Sequence, residues 1–246
     1  MAAMPVAASP VPILSDNYAW RLRESSSGAV AIVDPAEAEP VIAALRDAGG
    51  RLDLILLTHH HADHVAGTDA VRAAFPGALV VGAAADAHRL PRLDRAVGEG
   101  DSVALGAATA RVIDTPGHTR GHIAFFFPDG AVLACGDTLF SLGCGRLLEG
   151  NAAEMFASLA KLAALPGETL ICCGHEYTES NARFALSVDA ANPALQARAA
   201  EARAQRAAGQ PTLPSRMADE RAANPFLRAP DVAALAELRS RKDRFR

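Results

Sequence analysis

The chain has 246 residues, of which 50% are hydrophobic and 21% charged, and its formal net charge is −4. This balance is typical of a globular protein with one large or two smaller domains, long enough to bury a core without disulfides. A mildly acidic chain is a poor candidate for nucleic-acid binding, and no apolar run reaches the length of a membrane helix.

The N-terminal segment MAAMPVAASPVP (1–12) lacks Lys and Arg and is interrupted by prolines. We therefore expect a loose leader rather than a signal peptide. The four cysteines include the adjacent pair Cys172 and Cys173 and contain no C-x-x-C spacing. That is a poor disulfide framework, so we expect reduced thiols and a cytoplasmic location.

From residue 29 onward the chain alternates strand-like and helix-like segments. Short apolar runs bounded by Gly and Pro predict strands, and apolar residues at helical spacing predict helices. Asn151 and Glu154 have the spacing of a capping box at the start of one helix. In chain order we expect strand 29–35, helix 40–50, strand 52–58, helix 65–77, strands 78–83, 110–117, 123–130 and 131–137, helix 151–165 and strand 168–175.

Strand signals end between residues 176 and 180. The remaining segments NARFALSVDA, NPALQARAAEARAQRAAG, SRMADERAAN and DVAALAELRSRKDRF all predict helices, separated by proline-containing breaks. A strand-rich part followed by a helix-only part predicts two domains, 1–176 and 177–246.

The segment THHHADH (58–64) holds four of the eight histidines of the chain and follows a predicted buried strand. A solvated polar loop or a tag-like run would be the plain explanations. However, His59 and His61 are two residues apart, so in an extended segment their side chains point the same way. Asp63 and His64 follow as the chain turns. Imidazole and carboxylate suit Zn²⁺, Fe or Mn, and one ion would not need all four groups.

Three more ligand-type residues come directly after predicted strands, each with a nearby glycine: His118, Asp137 and His175. We expect all seven side chains to converge at one edge of a sandwich. The predicted division gives His59, His61 and His118 to a first metal and Asp63, His64 and His175 to a second, with Asp137 as the bridge. Two such ions about 3.5–4 Å apart would share a hydroxide and make it nucleophilic near neutral pH.

For four other polar residues we expect roles outside the metal ligand set. His60, His88 and His122 are expected to be structural. Asp34, at a strand end in AIVDP, is expected either to orient a ligand histidine or to form a turn before Pro35.

H-x-H-x-D-H with a later His, Asp and His resembles the metallo-β-lactamase superfamily. More narrowly, nearly the whole chain resembles the glyoxalase II (hydroxyacylglutathione hydrolase) family. The resemblance implies an α/β fold, a four-layer αβ/βα sandwich with metals at one end, followed by a C-terminal all-helical domain. The matching segments are SDNYAW (15–20), AIVDP (31–35), THHHADH (58–64), TPGHTRGH (115–122), GDTLFSLGCGRLLEG (136–150), GHEYT (174–178), NPFLR (224–228) and RSRKDRF (239–245).

The resemblance also implies an activity, the second step of methylglyoxal detoxification. A metal-bridging hydroxide would hydrolyse the thioester S-D-lactoylglutathione to glutathione and D-lactate in a cytoplasmic monomer. The cofactors would be two divalent ions, with zinc expected. Asp63 and Asp137 would be the catalytic residues together with that hydroxide.

The resemblance assigns the glutathione contacts to four residues, Arg146, Tyr177, Arg239 and Lys242. Arg146 stands where some members have lysine, and Leu148 stands where some have tyrosine, so we expect weaker or altered glutathione binding. The tail RSRKDRFR carries five basic residues in eight, which suits the carboxylates of glutathione. Its plainer role would be to complement the dipole of its own helix.

Other functions stay open at this point. Within the superfamily the chain could be a lactonase, a mono-iron persulfide dioxygenase or a β-lactamase, although a β-lactamase would normally be exported. A structural metal protein is the non-enzymatic alternative, but structural zinc sites are usually cysteine-rich, and none of the four cysteines is needed here. Cys144, in GCGR, is expected to serve packing.

Overall fold

The computed structural model describes residues 6–245, and the chain divides into two compact units. Unit 1 comprises the chain up to Asp114 together with Gly121–Gly136. Unit 2 comprises Thr115–Arg120 and the chain from Asp137 onward. Among the helices of residues 6–245, none combines the length and apolar character that a membrane span requires.

Unit 1 contains a six-stranded sheet whose strands lie in sequence order. The first three strands are antiparallel, and the remaining ones are added in parallel. The parallel strands are short and mostly apolar, as expected for strands that are covered on both faces. The strands are β1 (Val6–Ile13), β2 (Asn17–Glu24), β3 (Val30–Val33), β4 (Leu54–Leu56), β5 (Leu79–Ala83) and β6 (Arg95–Val97).

Three helices of unit 1 connect these parallel strands. Helix α1 (Ala38–Asp47) joins β3 to β4, and it buries Val41 and Leu45. Helices α2 (Ala62–Val65) and α3 (Thr68–Ala74) join β4 to β5. Crossover helices of this kind are the usual way to place consecutive strands in parallel.

Four further strands of unit 1 pair antiparallel in the order β10-β9-β8-β7. They are β7 (Ser102–Leu105), β8 (Ala108–Asp114), β9 (Ile123–Phe127) and β10 (Val132–Gly136). Buried and exposed residues alternate along β7, whereas every residue of β9 and β10 is buried. Both faces of β9 and β10 therefore belong to the core of unit 1.

Unit 2 is mostly helical. Its strands are the hairpin β11 (Leu139–Phe140) and β12 (Gly143–Cys144), and the antiparallel pair β13 (Leu170–Cys173) and β14 (Ser215–Arg216). Its helices are α4 (Ala152–Ala163), α5 (Thr178–Val188), α6 (Pro193–Ala207), α7 (Met217–Ala223) and α8 (Val232–Arg244).

The predicted strands and helices are confirmed, with one helix divided. The expected helix 65–77 is instead α2 and α3, separated around Gly67. A Cβ on Gly67 would lie 2.4 Å from the carbonyl oxygen of Pro35, so this backbone approach requires glycine. The sequence patterns did not reveal β2, β6, β7, the β11–β12 hairpin or β14.

The expectation of a loose leader over 1–12 is wrong for the residues that the structure describes. Residues 6–13 form β1, which pairs along its whole length with β2 and buries Val6, Val11 and Ile13. Pro10 and Pro12 are tolerated because β1 is an edge strand of the sheet. Residues 1–5 of the predicted leader lie outside the described residues.

The prediction that no strand follows residue 176 is also wrong in one place. The two residues of β14 pair with Leu170 and Ile171 of β13. A two-residue strand leaves too short a pattern to be recognised from alternation.

The predicted capping box of α4 is present and gives a direct test of local stability. The Asn151 side chain accepts from the N–H groups of Ala153 and Glu154, and the Glu154 carboxylate accepts from the Asn151 N–H at 2.8 Å.

We expect Asn151→Ala to lower the free energy of unfolding by about 1 kcal/mol, because orphan N–H groups lose their acceptor. Urea denaturation measures this change. Asn151→Ser, which keeps a capping oxygen, should stay close to wild type, and equal stability of the alanine variant would contradict the assignment.

Candidate active site

Unit 1 places four predicted metal ligands immediately after β4. His59 is fully buried, and its Nε2 lies 3.1 Å from Nδ1 of His61. Two imidazole nitrogens bound to one tetrahedral zinc lie about 3.3 Å apart, because each Zn–N bond is about 2.0–2.1 Å. The spacing of these two rings therefore fits ligands of a single divalent ion.

The other two predicted ligands of unit 1 lie on α2. Nε2 of His64 is 3.9 Å from Oδ2 of Asp63, and the Asp63 side chain is about half exposed while His64 is buried. The Asn17 side chain donates to the backbone oxygen of Asp63 at 3.0 Å and to Oδ2 at 3.3 Å. Asn17, which sequence reasoning missed, thus holds Asp63 in place from the start of β2.

Asp34 is the residue that connects these ligands to the sheet. Its carboxylate accepts from the Thr58 N–H at 2.8 Å and the Thr58 hydroxyl at 2.6 Å, and it lies 3.0 Å from Nδ1 of His64. Nδ1 of His64 therefore faces Asp34, and Nε2 is the atom left to bind a metal. Asp34, His59 and His64 also offer ligand atoms within 4.8 Å of one another. Because both Asp34 oxygens already have partners, we interpret Asp34 as the residue that orients His64.

The two neighbouring histidines that were expected to be structural have clear packing roles. The His122 ring stacks on His59, with 4.7 Å between ring centres and an interplanar angle of 23°. Nδ1 of His60 lies 3.1 Å from Oδ2 of buried Asp86. Arg89 donates to the other oxygen of Asp86 at 2.6 Å. Asp86 and Arg89 were not recognised in the sequence because no motif marks them.

Gly121 shows how tightly this support is packed. A Cβ at Gly121 would lie 2.2 Å from Cγ of Asp86. The glycine in TRGH is thus explained by the approach of Asp86, a contact partner that lies 35 residues away in the chain and cannot be read from local pattern.

Unit 2 places the other three predicted ligands together. Oδ2 of Asp137 lies 3.6 Å from Nε2 of His118 and 3.3 Å from Nε2 of His175. One carboxylate oxygen between two imidazole nitrogens suits a ligand shared by two cations. This is the arrangement expected of a bridging aspartate.

The His118 ring is fixed by its second nitrogen. Nδ1 donates to the carbonyl oxygen of Arg146 at 2.8 Å. Since a carbonyl only accepts, the proton lies on Nδ1 and Nε2 is left as the metal-binding atom. His175 is held differently, because its ring stacks on Tyr177 at 4.5 Å with an angle of 8°.

Each unit thus assembles its own share of the predicted ligands. Unit 1 holds His59, His61, Asp63 and His64 in one stretch of chain. Unit 2 groups His118, Asp137 and His175. These donor sets, imidazole and carboxylate alone, fit divalent metals of the zinc, iron and manganese type.

A cleft of about 440 Å³ in unit 2 contains all four residues expected to bind the substrate, together with two of the predicted metal ligands. Its lining combines basic, aromatic and polar side chains. The lining residues are His118, Asp137, Phe140, Cys144, Arg146, Tyr177, Ser180, Asn181, Arg239, Lys242 and Phe245.

The two basic residues of α8 in this cleft differ in their surroundings. Arg239 is 5% exposed, donates to the Cys144 carbonyl at 2.7 Å and forms a two-nitrogen ion pair with Asp243 at 2.8 and 3.1 Å. Lys242 donates to the Ser180 carbonyl at 3.0 Å. Asp243, missed in the sequence, therefore fixes the Arg239 guanidinium, while the ammonium of Lys242 keeps hydrogens for a ligand.

Positive charge is concentrated around Lys242. Partial burial, together with the neighbouring Arg239, Arg183 and Arg146, lowers the pKa of Lys242 to about 8 against the opposing effect of Asp243. A cleft in which a lysine ion is this unfavourable is well suited to an anionic ligand, which would offset the repulsion.

The surroundings of Cys144 and Leu148 explain what these two side chains contribute. Burial raises the pKa of the Cys144 thiol to about 11, so it stays protonated near neutral pH, which fits packing rather than nucleophilic chemistry. Leu148 is 59% exposed, and its backbone N–H donates to the His118 carbonyl at 3.3 Å. The tyrosine-to-leucine difference therefore affects an exposed side chain and leaves this backbone contact intact.

The role of Asp34 can be tested by metal affinity. We expect Asp34→Asn to weaken zinc binding by about 10–100-fold, because the carboxylate that orients His64 is lost while the shape is kept. Asparagine also tolerates the left-handed backbone of this position, where φ is +50°. Competition of the apo protein with a chromogenic chelator gives the affinity. Asp129→Asn, an exposed exchange of the same kind, is the control, and a zinc affinity of Asp34→Asn within twofold of wild type would refute the role.

Comparison with known sequences adds two adjacent family matches. Residues 15–175 match the metallo-β-lactamase superfamily, and residues 176–245 match the C-terminal region of hydroxyacylglutathione hydrolases. A hydroxyacylglutathione hydrolase of Acidiphilium cryptum is 60% identical over 235 residues, which cover 96% of this chain and 95% of that protein. One of Rhodospirillum rubrum is 51% identical over 249 residues, covering 96% and 97%.

Solved structures show the same fold. ETHE1 from Myxococcus xanthus superposes with a TM-score of 0.73 and 24% identity, covering 95% of this chain and 90% of that one. A protein crystallised in a di-iron-bound form gives a TM-score of 0.60 and 29% identity, covering 68% and 91%. The predicted fold class is therefore confirmed as a metallo-β-lactamase fold with two sheets flanked by helices and a C-terminal helical region.

Proposed function

This chain belongs to the hydroxyacylglutathione hydrolase family of the metallo-β-lactamase superfamily, and from that premise we propose that it hydrolyses S-D-lactoylglutathione to glutathione and D-lactate. One observation supports this most directly. A single cleft of unit 2 contains His118 and Asp137, two predicted metal ligands, beside cationic groups that would suit the carboxylates of glutathione.

We propose that the seven His and Asp residues bind two divalent ions, with zinc as the expected metal. His59, His61 and His118 would hold one ion, Asp63, His64 and His175 the other, and Asp137 both. The ligand spacing within each unit supports this proposal, as does the di-iron form of a related structure. Such a pair of ions would lower the pKa of water and polarise the thioester carbonyl.

The residues of the chain would supply orientation and charge. Asp63 and Asp137, which accept hydrogen bonds when ionised, would direct a nucleophilic water toward the carbonyl carbon. The leaving thiolate belongs to a thiol with a pKa of about 8.5, so the reaction needs no dedicated general acid.

The helical domain, residues 177–246, would bind the glutathione part. Lys242 and Arg146 would pair with its carboxylates, Tyr177 would donate a hydrogen bond, and Arg239 would present the guanidinium that Asp243 aligns. The polar and charged lining of the cleft supports these roles, because a peptide of two carboxylates needs charge-assisted contacts.

A mono-iron persulfide dioxygenase or a lactonase is less well supported. A single iron would make less use of Asp63, His64 and His175 as ligands. Here Nδ1 of His64 faces Asp34, which leaves Nε2 of His64 available to bind a metal. Nε2 of His175 lies 3.3 Å from Oδ2 of Asp137, which suits a shared metal as well. We also propose that the protein acts as a monomer in the cytoplasm. Its four cysteines form no disulfide, which agrees with a reducing compartment.

The ligand assignment predicts the outcome of two substitutions. His59→Ala and Asp137→Ala should each lower kcat/KM for S-D-lactoylglutathione by at least about 100-fold, the scale of losing one electrostatic contact to the transition state. Hydrolysis and metal content are measured on the same samples. His88→Ala, an exposed histidine outside the site, is the matched control and should keep both values. Wild-type turnover and metal content in Asp137→Ala would overturn the two-metal assignment.

The lowered pKa of Lys242 predicts a pH dependence of substrate capture. Lys242 is charged below its pKa of about 8 and loses its charge as the pH rises through that value. We therefore expect kcat/KM to fall by about tenfold between roughly pH 7 and pH 9.5, as one charged hydrogen bond to substrate is lost.

Two variants separate Lys242 from other titrating groups. Lys242→Arg keeps its charge throughout this range, so its alkaline decline should disappear. Lys242→Met should have a low kcat/KM with no decline near pH 8. An unchanged alkaline decline in Lys242→Arg would show that another group is responsible.

A further inference from the structure

The β11–β12 hairpin of unit 2 lies between two parts of the proposed site. It begins two residues after Asp137 and ends two residues before Arg146. The backbone carbonyl of Arg146 also fixes the His118 ring. A displacement of this hairpin would therefore move one proposed metal ligand, release the ring of another and shift a cationic residue of the cleft.

The turn of the hairpin needs support from outside. Leu142 has a φ of +59°, a left-handed conformation that a leucine seldom adopts, and its side chain is fully buried. A buried turn also cannot satisfy its backbone groups with bulk water. The partners must come from neighbouring side chains.

Helix α7 and the residue that follows it supply the main partners. Glu220 accepts the Leu142 N–H at 2.8 Å. The Asn224 amide donates to the carbonyl oxygens of Phe140 at 3.1 Å and Gly143 at 3.0 Å. Glu220 and Asn224 are both fully buried and contact each other at 3.1 Å.

Asn224 is itself held at both ends of its side chain. Its Nδ2 hydrogens are shared among three acceptors within 3.1 Å, and its Oδ1 accepts the Phe226 N–H at 3.0 Å. The side chain therefore has one position available. Asn224 opens the NPFLR segment, for which no function was apparent from the sequence.

Two other helices complete the support. Asn181 of α5 donates to the Ser141 carbonyl at 3.0 Å, and Arg239 of α8 donates to the Cys144 carbonyl at 2.7 Å. Side chains from three helical segments thus engage the backbone at each of residues 140 to 144. Directed bonds to five consecutive residues of backbone exceed what simple packing of an apolar hairpin would need.

We propose that Glu220 and Asn224 are positioning residues of the active site. They hold the β11–β12 hairpin so that Asp137 and His118 keep their metal-binding geometry and Arg146 keeps its place in the cleft. The helical region would then hold the β11–β12 hairpin in addition to binding glutathione. This proposal rests on the proposed function for its kinetic consequence, whereas its consequences for metal affinity and hairpin protection do not.

The test replaces the amide and the carboxylate separately. Asn224→Ala and Glu220→Ala should each weaken zinc affinity by about 10–100-fold, the range seen when a residue behind a ligand is removed. They should also speed amide hydrogen exchange across 139–146 and lower kcat/KM for S-D-lactoylglutathione by a similar factor. Glu220→Gln should recover most of each value, since burial already raises the pKa of this carboxyl and the amide oxygen keeps the bond to Leu142. The two alanine variants act through different atoms, so either one suffices if the other does not fold.

The matched control is Glu24→Ala. Glu24 is also a fully buried glutamate, but its carboxylate accepts from the N–H groups of Ser26 and Ser27 in unit 1 rather than from the hairpin. This variant should lose stability and yet keep zinc affinity, exchange at 139–146 and kcat/KM within about twofold of wild type.

Two results would overturn the positioning role. One is wild-type zinc affinity and wild-type exchange at 139–146 in folded Asn224→Ala or Glu220→Ala. The other is an equal loss in Glu24→Ala, which would indicate general destabilisation. If wild-type protein hydrolyses no glutathione thioester, the proposed function has failed, and zinc affinity and exchange still decide the positioning role.

Discussion

The free-energy cost of burying imidazoles and carboxylates is the physical constraint on which this structure depends. A polar group removed from water costs free energy unless it is bonded, and a charged one costs much more. In unit 1, His59, His64 and Asp34 are buried behind β3 and β4, where Thr58 and Asp34 satisfy one side of the cluster. Nε2 of His59 lies 3.1 Å from Nδ1 of His61, a separation that a shared divalent cation would stabilise.

Unit 2 meets the same constraint with directed bonds from its helices. His118 is anchored on a carbonyl, Arg239 on Asp243 and a carbonyl, and the hairpin turn on Glu220 and Asn224. The anchored His118 ring keeps its Nε2 3.6 Å from Oδ2 of Asp137, and the anchored Arg239 lines the cleft. The helices therefore combine two functions, because the side chains that order the hairpin backbone also define where the cationic groups of the cleft lie.

The sequence was informative where the signal is local. Apolar runs predicted β3, β5, β9 and β10, and the ligand pattern in 58–64 predicted the histidine cluster. Residues that act through distant contacts left no local trace: Asp86, Asn17 and Asp243 are ordinary polar residues until the fold brings them to His60, Asp63 and Arg239. β1 was missed because its two prolines suggest a loop, and only its edge position makes them acceptable.

The proposed binding of a pair of metal ions by five histidines and two aspartates underlies everything else. Anomalous diffraction at the zinc absorption edge, from crystals of zinc-loaded protein, tests it most directly. We expect two peaks per chain about 3.5–4 Å apart, one bound by His59 and His61, the other by His64 and His175, with Asp137 reaching both. A single peak, or peaks bound by side chains outside this set, would contradict it.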